Sequence, residues 1–204
     1  MAAAKKDPKL GQVVLENVRA SYLHIWKAQA SVKDGKLKYS ANFLIDPETP
    51  DGKKNIKKCN AAVNAIAKEE WGDKFEKVLK TITSDRMNFR AGETFTNDEG
   101  DVYAGYEDQM VAKGANERKF PIVDRSKQPT SESDGVIYSG CYVDAVLRFY
   151  TVSGKDKGGN GVFASLEAIR FRRDGEAFGA APVDVDDVFD DLPDEEEEEE
   201  GELV

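Results

Sequence analysis

"GVIYSGCYVDAVLRFYTVSGKDKGGNGVFASLEAIRFRRDGEAFG" (residues 135–179) decides the fold. It reads as two long strands joined by a Gly/Lys turn. In the first strand Cys141, Val143, Ala145, Leu147 and Phe149 form an apolar face that grades from small to large. The reverse carries Tyr142, Asp144, Val146, Arg148 and Tyr150. Alternation of this kind belongs to a strand with one face turned to a core, because successive side chains point to opposite sides of a sheet.

Working outward, "QVVLENVRASYLHIW" (12–26) is rich in β-branched and aromatic residues and lacks Pro and Gly, which predicts another strand. Its second half puts Tyr22, His24 and Trp26 on one face and Leu23 and Ile25 on the other. "KDG" (33–35) signals a turn. "KLKYSANFLID" (36–46) then alternates again, with Leu37, Tyr39, Ala41, Phe43 and Ile45 on one face, of which Tyr39 and Phe43 read as core. After "DPETPDG" the period changes. Ile56, Cys59, Val63, Ile66 and Ala67, and later Phe75, Val78, Leu79 and Ile82, recur at helical spacing. Gly72 predicts a break between two helices that lid one end of a sheet. Residues 87–105 read as a loop or loose hairpin, followed by a strand to about Lys113 and a basic loop around Phe120.

The charge is unevenly placed. Of 39 acidic residues, thirteen lie in 184–204, which holds no Lys or Arg. Residues 1–183 therefore carry 26 acidic against 29 basic side chains, a charge of +3 beside a strongly anionic tail. So dense a run of like charge buries too little apolar surface to fold alone, so 184–204 is expected to be disordered. The expected division is a flexible arm over 1–10, one domain over 11–183 with a helical insertion at about 53–82, and the tail.

Several function classes are excluded or unsupported. No stretch is long and apolar enough to span a membrane, and the N-terminus lacks the apolar core of a secretory signal. Two distant cysteines make neither a disulfide framework nor a metal knuckle, which fits a reducing, cytoplasmic setting. With one histidine and no HExxH or GxSxG, nothing argues for an enzyme. "GKDKGGNG" lacks the Gly-Lys-Ser/Thr ending of a phosphate loop and reads as a hairpin tip. No cofactor and no metal site are assigned, since a disordered carboxylate run does not fix ligand geometry.

A mildly basic β-domain bearing aromatics and tethered to a polyanion points to single-stranded nucleic acid. Basic grooves bind such strands through phosphates, and exposed rings stack bases without reading sequence. The tail, held at high effective concentration, would compete for the same groove. The residues expected to meet nucleic acid are Tyr22, Trp26, Lys113, Arg118, Lys119, Phe120, Arg125, Tyr142, Arg148 and Tyr150. The rings among them also read as ordinary half-buried sheet aromatics. The alternative function is an acidic-tailed interaction protein or chaperone for basic protein partners.

"VRASYLHIW", "KLKYSANFLI", "ERKFPIVDR" and above all "IYSGCYVDAVLRFYTV…GGNGVFASLEAIRFRRDGEAFG" resemble the bacteriophage-encoded single-stranded DNA-binding proteins, over residues 12–180. The resemblance implies an OB-fold: a mainly β, antiparallel barrel, here with an inserted helical segment and an acidic C-terminal tail. It implies a non-enzymatic protein that coats single-stranded DNA during replication or recombination in a host cytoplasm. It also implies that the tail recruits replication or recombination proteins through Asp186, Asp187, Phe189, Asp190, Asp191, Glu195, Glu200 and Glu202. The tail ends in "GELV" and not in an aromatic tip, which leaves Phe189 as its candidate anchor. Neither composition nor resemblance sets an oligomeric state.

Overall fold

The computed structural model describes residues 9–30 and 35–179. Strands β1 (Gln12–Gln29), β2 (Lys38–Ile45), β4 (Met110–Asn116), β6 (Tyr142–Val152) and β7 (Gly161–Arg173) form one mainly antiparallel sheet, joined at its edges by short β3 (Phe89–Ala91) and β5 (Ile122–Val123). β1 pairs with β2 and β6, β2 with β4, and β6 with β7. A parallel pairing of β4 with β7, at Ala115 and Ser165, closes the five strands into a barrel. This is the connectivity expected of an OB-fold. The inward face of β6 is the one the alternation marks: Cys141, Val143, Ala145 and Leu147 have no exposure and Phe149 has 1%.

Helix α1 (Pro50–Trp71) starts where chemistry favours a start. The Thr49 hydroxyl accepts from the Gly52 N–H, and Pro50 occupies a position that needs no donor. It stops at Gly72, whose φ of 54° suits a residue without Cβ. A short 3-10 turn over Gly72–Lys74 leads into α2 (Phe75–Thr81). α1 buries Cys59, Val63 and Ile66 against the barrel core, so the helices insert after β2 and cover the core there. Burial pushes the Cys59 thiol up to about 12, which makes it an inert packing group.

β1 departs from regular register at three places, two of them marked by a positive φ. Its register against β6 shifts between Leu15 and Val18, with Asn17 at φ 55°, and its register against β2 shifts between Ser21 and His24, with Tyr22 at φ 46°. Both are bulges, which re-aim side chains. α1 holds the first: Asn55 pairs with both backbone groups of Glu16, at 2.7 and 3.1 Å, and the Lys58 ammonium donates to the Val14 carbonyl. The Glu16 carboxylate itself lies 2.7 Å from Lys58 and 2.9 Å from Lys54. Those hydrogen bonds and charges hold its pKa at about 2 against an ordinary 4.5. A carboxylate whose folded pKa is depressed stabilises the native state above its unfolded value and ceases to do so as it protonates in the fold. Amide-exchange protection in the first turns of α1 is therefore expected to hold above pH 4.5 and to fall as pH drops towards about 2. Glu16→Gln should remove that step. An unaltered profile in the variant would contradict the anchoring role.

The expected face sharing is corrected beyond His24, where the register against β2 shifts once more before Gln29. Tyr22, His24 and Trp26 do not share one surface: Tyr22 and His24 line one groove, while Trp26 lines another beside the core residue Ile25. The segment expected to be a loop or loose hairpin, 87–105, contains β3 and a bridge between Thr96 and Val102. It folds over the outward face of β2–β4, where Phe95 and the wholly buried Tyr106 cover Leu44 and Val111 as a second small core. The tail residues Asp186, Asp187, Phe189, Asp190, Asp191, Glu195, Glu200 and Glu202 lie outside the described residues, as does most of the N-terminal arm.

Candidate nucleic-acid interface

The outward face of β2–β4 follows from register. Phe43 stands opposite Ala112 and Ala41 opposite Gly114, all inward, so Asn42 and Lys113 are neighbours on the outer side. They form the floor of a groove of about 360 Å³. Tyr22 and His24 of β1 bound one side, and Arg90 of β3 with Phe95 and Tyr103 of the covering segment bound the other. Tyr106 fixes that segment: its hydroxyl accepts from the Asn42 amide at 2.9 Å. Burial raises the Tyr106 pKa, so the ring stays a neutral strut.

The exposed ring in this groove is Tyr22, at 46% exposure. Its centroid is 4.9 Å from that of Tyr103 and 6.2 Å from that of Tyr106. A left-handed backbone is costly for a bulky residue, and such outliers concentrate where side chains are held for a purpose. Here the bulge turns a large apolar ring outward between two other tyrosines. Lys113 and Arg90 supply positive charge across the groove from it. Burial lowers the Lys113 pKa, and repulsion from Arg90 lowers it further; burial also pulls down Arg90. A flat apolar platform beside cations is what single strands need.

The other expected residues fall in three places. Trp26, Lys119 and Phe120 come together around a second groove of about 460 Å³, near Pro129. Phe120 also meets Tyr39 edge to face at 6.3 Å. Arg118 and Arg125 are exposed, one just past β4 with its N–H on the Asn116 side chain, the other in the turn closed between Asp124 and Gln128. Tyr142, Arg148 and Tyr150 sit on the outward face of β6, as alternation requires, but each has a partner on β7. Arg173 lies 3.3 Å from the Tyr142 ring centroid, the Arg148 guanidinium lies 2.6 Å from Glu167, and Tyr150 pairs with Phe163 at 6.1 Å. Between them Asp144 accepts from Arg170 at 3.0 Å and Arg172 at 2.9 Å. On that face Arg148 has Glu167, and Arg170 and Arg172 share Asp144, whereas Arg90 and Lys113 of the β2–β4 groove form no ion pair with a carboxylate among the described residues.

Tyr103, Arg90, Phe95 and His24 were not among the expected site residues. His24 was marked only by the face it shares with Tyr22, and the other three only by the scatter of aromatics through 87–105. Among the described residues there is no cluster of side chains that could hold a metal ion, and no helix is long and apolar enough to cross a membrane.

A family model described as the single-stranded DNA-binding protein of Enterobacter phage Enc34 matches residues 11–203. The chain belongs to this family. It is a family of binding proteins and not of enzymes. A putative protein p50 of Acyrthosiphon pisum secondary endosymbiont phage 1 is 34% identical over 189 residues, covering 92% of this chain and 97% of that protein. Among solved structures, the single-stranded DNA-binding protein of bacteriophage Enc34 in complex with single-stranded DNA superposes with a TM-score of 0.66 at 22% identity, over 86% of this chain and 97% of that one. The single-stranded DNA-binding protein of bacteriophage T7 gives a TM-score of 0.51 at 14% identity, over 95% and 98%. At these identities the structural likeness speaks to the barrel, and the family assignment rests on the sequence match.

Proposed function

We propose that the chain is a single-stranded DNA-binding protein that coats and protects DNA during phage-type replication or recombination, without strong sequence preference, in the host cytoplasm. The observation that carries this reading is the β2–β4 groove, where a bulged, exposed tyrosine shares the lining with two cations that form no ion pair with a carboxylate among the described residues. Outer faces at this position, together with the loops that flank them, are where OB-folds take oligonucleotides. Family membership supports the same ligand. Tyr22 and Lys113 meet the strand in this groove, with Tyr103 and Arg90 beside them. Trp26, Lys119 and Phe120 extend the path, and Arg118 and Arg125 add charge along it. Tyr142, Arg148 and Tyr150 are peripheral to it because their partners on β7 already engage them.

Titration of the full chain with a labelled oligothymidylate at several salt concentrations tests the reading. The logarithm of the binding constant should fall linearly with the logarithm of salt, with about 0.7 in slope for each neutralised phosphate. Salt-independent binding, or binding to duplex alone, would contradict it, as would capture of basic proteins with no oligonucleotide binding.

The acidic tail completes the reading. Gly179, a few residues before the acidic segment in sequence, lines a recess together with Tyr22, Tyr103 and Phe178 of the groove wall. A polyanion attached there competes with DNA and, once displaced, is free to engage replication or recombination proteins through its acidic residues and Phe189. Deletion of 184–204 should tighten DNA binding and end partner recruitment. Unchanged affinity on deletion would remove the competition and leave the binding function standing.

A further inference from the structure

Elsewhere on the barrel several cations have carboxylate partners, and the half-buried Arg19 and Arg86 donate to backbone carbonyls. Arg148 meets Glu167, Arg170 and Arg172 share Asp144, and Lys58 meets Glu16. Arg90 and Lys113 are different. Arg90 stands opposite Val111 across β3–β4, and Lys113 lies two residues further along β4 on the same outward face. Diagonal neighbours of this kind are within reach of long side chains. Among the described residues neither forms an ion pair with a carboxylate; Asp85 acts on Arg90 only from a distance. The Nε of Arg90 is buried and has no hydrogen-bond acceptor. Its guanidinium rests on the Phe95 ring, 4.0 Å from the centroid, so the fork is already oriented.

Two adjacent, partly desolvated like charges and a buried donor without an acceptor destabilise a fold on their own. What answers both unpaired charges at once is a compact anion with several acceptor oxygens, taken by the terminal nitrogens of Arg90 and the Lys113 ammonium. We propose that Arg90 and Lys113 jointly seat a single phosphodiester of the bound strand, an anchor that sets the register in which neighbouring bases reach Tyr22 and Tyr103. Arg90 contributes an oriented planar donor set and Lys113 a point charge, the division of labour these two side chains have around phosphate. The proposal rests on the reading of the β2–β4 groove as the DNA interface and adds to it which side chains take the backbone and that they take one phosphate between them.

The test uses the full chain and Arg90→Met, Lys113→Met and the double variant, each titrated with oligothymidylate across salt and melted without DNA. Each single variant should lose roughly tenfold in affinity at low salt and about 0.7 of the salt slope, the share of one single-strand phosphate. The double variant should lose no more slope than either single one, because one phosphate is shared. Both single variants should melt at or above the temperature of the parent, since repulsion is relieved. Arg90→Lys, which keeps the charge, should keep the slope and guards against a folding artefact. Unchanged slopes in both single variants overturn the anchor, as does a double variant that loses about twice as much slope, which would mean two separate phosphates. If those slopes are unchanged while Tyr22→Ala still weakens binding, the groove stands and the anchor falls. If the parent itself fails to bind, the groove reading fails.

Discussion

Tyr22→Ala is expected to weaken single-stranded DNA binding by about 1–3 kcal/mol, the range that loss of one stacked base commonly costs. The residue is the exposed member of a tyrosine trio, 4.9 Å from Tyr103, and it is presented by a bulge with its own backbone at φ 46°. Alanine faces the same left-handed requirement as tyrosine, so the substitution removes the ring and leaves the backbone demand unchanged. Tyr22→Phe should bind nearly as well as the parent, because stacking uses the π-face and not the hydroxyl. Tyr22→Gly separates the two contributions further: it relieves the positive φ yet lacks the platform, so binding should fall while backbone strain falls too. Fluorescence titration with oligothymidylate reads all three. Full affinity in Tyr22→Ala would remove this ring from the interface.

Asp144→Ala should destabilise the fold by about 1–3 kcal/mol, because the bulged Asn17 N–H loses its acceptor while the two half-exposed arginines regain solvent. The Asp144 side chain is 7% exposed. One oxygen accepts from the bulged Asn17 N–H at 2.9 Å and from Arg172, and the other from Arg170. Without it, two guanidinium groups and a backbone donor lose their acceptor, and the first bulge of β1 loses the contact that holds it against β6. Burial alone would raise the Asp144 pKa, but the hydrogen bonds from Arg170, Asn17 and Arg172 outweigh it and hold it below the ordinary 3.8. The stabilisation is therefore complete above pH 3.8 and is lost as pH falls through the depressed value. Urea unfolding of parent and variant at neutral pH measures the difference. A loss under about 1 kcal/mol, the range of exposed pairs, would show that the cluster behaves as a surface network.

The two substitutions also mark how far the sequence could be read. The β6–β7 hairpin and the helix break at Gly72 were legible because each depends on local periodicity and on one-sided burial. The bulges at Asn17 and Tyr22 were not, since a bulge is a mismatch between two strands and one strand's alternation does not contain it. For the same reason Tyr22 and Trp26 read as sharing a face that a later register shift, between His24 and Gln29, divides. Arg148 and Arg90 look alike as letters. They differ because Glu167 stands on the strand beside Arg148, while Arg90 faces another cation, and only pairing across strands reveals that. The segment 87–105 read as a loop because its turns break every period. Its aromatics fold back onto β2–β4 through contacts with residues far away in sequence, so Tyr103 and Phe95 enter the groove unannounced.

The central claim is that bases meet the β2–β4 groove and not the outward face of β6–β7. A crystal structure of the chain with a bound oligothymidylate tests it most directly. The account predicts a base against Tyr22 and Tyr103, with the adjoining phosphate beside Arg90 and Lys113. Bases laid across Tyr142 and Tyr150, with the β2–β4 groove empty of DNA, would contradict it.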